Sequence, residues 1–268
     1  MLQLLTSLDQ TLFISFAESC RHLHSVEQVK QLSLTSSQAN QIEQATHGQS
    51  ANDLWFQMRE GRISASNVHE VYTRTKSLLQ QTLCPGVNVD CSALISLCVN
   101  ARSCKSHLPA LLYGKETESE AVGIYSAIQS TTHTHCHVGK CGLFVDETRP
   151  YLCASPDAVV SCDCCGQGLL EVKCPLSSAG IHPSDANLPY LQHSDGKLVL
   201  KHSHKYYAQI QCQMAVRKRP WCDFFVYSRH GYHLERIFFD ASYWEERFNT
   251  IEAGFFDYVV PSLIVNTQ

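Results

Sequence analysis

From residue 130 onward the apolar pattern of this chain changes period. "THTHCHV", "CGLFVD", "YLCASPDAVVSC" and "GLLEVKCP" are short runs, each bounded by Gly, Pro or charged residues, and read as strands. Two more, "WCDFFVYS" and "HLERIFFD", follow a helical stretch, "HKYYAQIQCQMAVRK". Upstream, "LLYGKETESEAVGIYSAIQ" spaces Ala121, Ile124, Tyr125 and Ile128 on one helical face, entered at Gly114. "ASYWEERFNTIEAGFFDYVVPSLI" reads as a closing amphipathic helix. Strands bracketed by helices must bury a sheet beneath them, so the expected class is α/β. With 268 residues the chain can bury a substantial core.

Two segments carry less pattern. Residues 26–53 are rich in Gln, Ser and Asn and read as a loosely packed helical arm or connector. Residues 176–200 read as a loop punctuated by Pro, Ser and Asp. Ser64 or Ser66 is expected to cap the helix through Val68, Val71 and Tyr72. No apolar run approaches the roughly 18 residues a membrane helix needs. The first residues, "MLQLLTSLDQTLFISFAESC", lack a basic n-region and carry Asp9 and Glu18. They predict an amphipathic helix, not a secretory signal, and with it an intracellular protein, in the nucleus where the host is eukaryotic. Fourteen cysteines are then expected to be mostly reduced thiols.

The segment "SPDAVVSCDCCGQGLLEVKCP" concentrates the chemistry. Glu171 and Lys173 lie two apart on a strand, so they project from one sheet face while Val172 points the other way. A hairpin through the cysteines would bring Asp157 beside Glu171. Two carboxylates and a lysine on one edge suit a hard divalent cation with oxygen ligands, and with it phosphodiester hydrolysis. On spacing alone, a surface salt bridge on a hairpin accounts for the same residues.

Four blocks in order decide between these readings: "LWFQMREGRISAS", "GKETESEA", "SPDAVV…LLEVKCP" and "YYAQIQCQM". Together they resemble the PD-(D/E)xK nucleases of the lambda exonuclease and YqaJ-type viral recombinase branch, over roughly residues 40–262. The resemblance implies a restriction-endonuclease-like core, a mixed central β-sheet flanked by α-helices, over 40–268, with 1–39 as an N-terminal helical arm. It implies Mg²⁺ or Mn²⁺ held by Asp157, Glu171 and Glu118, with Lys173 as the catalytic lysine and Gln209 facing the site. Arg59 and Ser66 match residues that meet the 5′-phosphate end of DNA. The implied activity is 5′ to 3′ exonuclease digestion of duplex DNA in recombination, repair, viral or mobile-element processing. Implied partners are duplex DNA ends, a second copy of the chain and a single-strand-annealing recombination protein, with no membrane. Competing readings are a weak or inactive DNA-binding module of the same fold, an endonuclease or an RNA-acting enzyme on the same chemistry, and a zinc-dependent interaction protein built on the Cys and His clusters. One departure stands out: Lys140 falls where the family carries a glutamate, and a lysine cannot ligate a metal.

Other clusters compete for attention. Cys162, Cys164 and Cys165 are close enough to share a zinc, but the sequence names no fourth ligand, so solvent-edge thiols are expected. His133, His135 and His137 alternate on an expected edge strand. Arg59, Arg62, Arg74, Lys76, Lys197, Lys201 and Lys205 are candidates for a basic groove, although the formal charge of −4 excludes a globally basic chain. Phe224, Phe225, Phe238 and Phe239 are expected in the core.

Overall fold

The computed structural model describes residues 12–83, 89–100 and 108–264. The expected N-terminal helix falls in part on residues 1–11, outside that set. The helices and strands, in chain order, are α1 (Phe16–Arg21), α2 (Val26–Lys30), α3 (Ser36–Ala45), α4 (Asp53–Arg59), β1 (Ile63–Ser64), α5 (Val68–Thr82), α6 (Ser92–Val99) and α7 (Pro109–Thr132). Then follow β2 (His137–Gly139), β3 (Phe144–Val145), β4 (Leu152–Ala154), β5 (Ala158–Cys162), β6 (Gly166–Lys173), β7 (Leu191–Ser194) and β8 (Lys197–Leu200). The chain continues through α8 (Lys205–Arg217), β9 (Trp221–Ser228), β10 (Gly231–Phe238), α9 (Ala241–Gly254) and α10 (Val260–Ile264). Among the described residues, no helix is long and apolar enough to cross a membrane.

Two compact units share these elements. The first combines residues 1–103, 142–155 and 241–268. Its small sheet runs β1-β4-β3, with β1 parallel and β3 antiparallel to β4. The segment expected as a loose connector is firmly held there: Ile42 of α3 is fully buried, and Thr46 accepts a 2.7 Å bond from the backbone of Leu143. Asn67, not Ser64 or Ser66, precedes α5, and its side chain reaches back to accept from the Ser64 amide. The closing helix is also interrupted. A π-helical turn at Phe255–Val259 separates α9 from α10, an irregularity that helical periodicity does not reveal.

The second unit combines residues 104–141 and 156–240. Its five-stranded sheet has the order β10-β9-β6-β5-β2, with β6 parallel to β9 and every other pair antiparallel. This is the mixed central sheet of the expected class. Strand alternation sends Val172 into a core with Ala121, Tyr125 and Phe225, and Glu171 toward α8. Helix α7 starts five residues earlier than Gly114, with Pro109 in its first turn, where a missing N–H costs nothing. Asp223 inside the sheet is neutralised by its cross-strand neighbour Arg236 through bonds of 2.8 and 2.9 Å, and accepts 2.6 Å from the Tyr125 hydroxyl.

Several strands depart from expectation. "YLCASPDAVVSC" is not one strand: it breaks at Ser155-Pro156, so β4 joins the first unit and β5 the second. Proline cannot donate to a ladder. Only His137 of the three alternating histidines lies on a strand; His133 caps α7 and His135 takes a left-handed conformation, φ 49°. The loop expected over 176–200 contains the β7–β8 hairpin, closed by Asp195-Gly196 with both φ positive. Phe224 and Phe225 are core, but Phe238 is 65% and Phe239 36% exposed.

Candidate functional site

Register builds the site from the β5–β6 hairpin. Ala158 pairs with Leu170, and the Asp157 amide donates to the Leu170 carbonyl at 3.0 Å, so Asp157 comes up beside Glu171 just as the strand begins. Its Oδ2 accepts from the Val172 amide at 2.6 Å. Glu171 is only 2% exposed. A buried carboxylate must be compensated, and three donors do it. Lys173 Nζ and Gln209 Nε2 (2.6 Å) donate to Oε1, and Gln213 Nε2 (2.7 Å) donates to Oε2. Lys173 also lies over the Tyr206 ring, 4.6 Å from its centroid.

The electrostatics follow from crowding. Burial pushes the Asp157 carboxyl well above its ordinary range, and the Glu171 and Glu118 carboxylates push further against the opposing pull of Lys173 and the Val172 amide. Glu118 keeps an exposed side chain on α7. Its carboxyl nevertheless loses enough hydration to the surrounding protein to be raised, with Glu171 adding and Lys173 and Lys115 opposing. Desolvation works against the Lys173 ammonium, yet Glu171 and Asp157 outweigh it and the net shift is upward. The arrangement is therefore an acid-rich centre with one firmly protonated lysine, short of positive charge.

Of the expected site residues, Asp157, Glu171, Lys173 and Gln209 come together, with Glu118 in electrostatic range. Glu120, two residues on, bonds Tyr227 and Arg229 instead. Lys140 is exposed just beyond β2. Gln213 and Tyr206 escaped the sequence reading. The signal for Gln213 was its i,i+4 spacing from Gln209, which puts both amides on one face of α8.

Arg59 and Ser66 lie in the first unit, where a separate cluster holds them. Arg59 Nη2 donates to Ser64 Oγ and Ser66 Oγ, each at 3.0 Å, and its guanidinium sits 4.0 Å over the Trp55 ring. Trp55 Nε1 in turn donates to Ser155 Oγ at 2.7 Å. Arg62, expected as a groove cation, is instead 5% exposed and donates to the Pro150 and Met58 carbonyls. Burial lowers its pKa to about 10, with Cys153 and Cys20 opposing. It is a structural cation.

Comparison with known proteins gives three results. The sequence pattern described as the YqaJ-like viral recombinase domain matches residues 54–220. The alkaline exonuclease LHK-Exo of Laribacter hongkongensis superposes with TM-score 0.53 at 24% identity, over 78% of this chain and 93% of that one. Its complex with dAMP gives 0.55 at 26%, with the same coverage. The Shutoff and Exonuclease Protein of Kaposi's sarcoma-associated herpesvirus gives 0.52 at 12% identity, over 92% and 75%, a likeness of fold. Among curated proteins, none matches by sequence.

Proposed function

The chain belongs to the YqaJ-like viral recombinase domain family, and from that premise we propose that it is a metal-dependent deoxyribonuclease that degrades duplex DNA from 5′ ends during recombination or viral or mobile-element DNA processing. One observation carries the reading: the buried Glu171 carboxylate, fixed by Lys173, Gln209 and Gln213 with Asp157 beside it. A structural salt bridge at Glu171 would account for the three donors, but not for the crowding of two further acids, Asp157 and Glu118, around it.

The residues fit a hard divalent cation. Asp157, Glu171 and Glu118 offer only oxygen donors, and beside the burial of Asp157 two carboxylates face it against the single ammonium of Lys173. These three would hold Mg²⁺ or Mn²⁺. Such an ion, when bound, polarises a phosphodiester and lowers the pKa of an attacking water. The chain's own residues do the rest. Gln209 and Gln213 fix the Glu171 carboxylate and limit its rotamers. Lys173, protonated and held against Tyr206, orients the attacking water or steadies negative charge on the phosphoryl oxygens. Arg59, already aligned with the Ser64 and Ser66 hydroxyls, would receive a terminal 5′-phosphate through charge-assisted bonds.

The test uses end-labelled linear duplex and covalently closed circular duplex, with and without Mg²⁺. Loss of linear DNA alone, only with Mg²⁺, is expected. Nicking of the circles would make the enzyme an endonuclease, and binding without cleavage would make it an inactive module.

A further inference from the structure

The tip of the β5–β6 hairpin carries a group of side chains that the nuclease chemistry does not use. Cys162 ends β5, Cys164 and Cys165 form the turn, and His133 arrives from the C-terminus of α7. The ligand atoms of all four lie within 4.8 Å of one another. Cys162 and Cys164 sulfurs are 3.5 Å apart, and Cys164 and Cys165 sulfurs 3.8 Å. His133 Nδ1 lies 3.1 Å from Cys164, 3.4 Å from Cys165 and 3.7 Å from Cys162. A tetrahedral zinc with ordinary bond lengths separates two sulfurs by about 3.8 Å and a sulfur from a nitrogen by about 3.6 Å. Five of the six donor separations are thus within about 0.5 Å of those of such a site. The sulfurs are too far apart to be disulfide-bonded.

The turn itself does not call for cysteine. Gly166, at φ 72°, supplies the left-handed residue that a short hairpin loop needs, and polar residues would serve the exposed positions. Trp221 Nε1 donates to the Cys165 carbonyl at 3.0 Å and fixes the turn, an outer contact of the kind that orients metal ligands.

We propose that Cys162, Cys164, Cys165 and His133 form a structural Cys₃His zinc site. Four protein ligands close the coordination sphere, so the ion has no position for water or substrate. It also stands far from the acids. His133 is fifteen residues beyond Glu118 on α7, about 22 Å along the helix axis. The zinc is a staple. It ties the helix bearing Glu118 to the hairpin bearing Asp157, Glu171 and Lys173, at the ends remote from those residues. This site stands independently of the nuclease reading.

The test is metal analysis of full-length protein purified in zinc-supplemented medium without chelator or added Mg²⁺. About one zinc per chain is expected, falling below about a tenth of that in Cys164→Ser and in His133→Ala, while Cys136→Ser, a nearby cysteine outside the cluster, keeps it. Cobalt-exchanged wild-type protein should show thiolate-to-cobalt charge-transfer absorption and the intense visible bands of a tetrahedral ion, a readout that needs no variant to fold. Zinc-free wild-type protein that takes up no tetrahedral cobalt would overturn the site. So would full zinc in both ligand variants, or a native disulfide among the three cysteines.

Discussion

Asp157 contributes to the centre at the cost of its own solvation. Its pKa is raised in the folded state by burial first, then by Glu171 and Glu118. The metal-free native state therefore binds a proton more tightly than the unfolded chain, whose aspartates titrate near 3.9. Stability is fully present below that value and is lost as pH rises through the higher folded pKa. Asn at this position keeps the acceptor for the Val172 amide and removes the charge. In buffer freed of divalent cations, the urea midpoint of the native protein should fall between pH 4 and the alkaline side of neutrality, and that of Asp157→Asn should fall less. At alkaline pH the variant should be the more stable of the two. Equal pH profiles would mean that Asp157 is well solvated. Alternation along "LLEVKCP" was enough to put Glu171 and Lys173 on one face, because period 2 is a local property. The donors from α8 were legible only in part, since which face of a helix meets a given strand is settled by tertiary packing.

At the scale of elements, most helices and strands could be read from apolar period, and the failures have separate causes. Strand "YLCASPDAVVSC" broke where proline removes a ladder donor; the β7–β8 hairpin hid in a polar loop, although Asp195-Gly196 is a strong turn signal. Segment 26–53 seemed loose because its composition is polar. It is held by few but specific contacts. Gly142 donates to Glu43 Oε1 at 2.9 Å, and a Cβ there would lie 2.0 Å from the Glu43 carbonyl oxygen. Backbone cannot yield as a flexible side chain can. Gly142→Ala should therefore destabilise the protein by about 3 kcal/mol, the upper range for overpacking, seen as a lower urea midpoint with an unchanged slope. A midpoint within error of wild type would show that α3 is as weakly docked as its composition suggests.

For the whole molecule, the family match covers residues 54–220, which include parts of both units. Neither unit can be read from the other, because Arg59 and Ser66 are far in sequence from Asp157 and Glu171. In the proposed function, Arg59 is the residue that separates recognition of ends from chemistry. Wild-type protein should degrade 5′-phosphorylated duplex faster than 5′-hydroxyl duplex. Arg59→Ala should erase most of that preference, at about 1.5–3 kcal/mol for a lost charge-assisted bond, or roughly ten- to a hundredfold in rate. Equal wild-type rates on both ends would remove the phosphate pocket and leave the acidic centre untouched. The account as a whole rests on that centre. Its most direct test is the rate at which 5′-labelled linear duplex is degraded in Mg²⁺ by wild type, Asp157→Asn and Lys173→Ala, each shown by circular dichroism to be folded. We expect degradation by the wild type only when Mg²⁺ is supplied, and none measurable by either variant. Cleavage at the wild-type rate by folded Asp157→Asn or Lys173→Ala would contradict it.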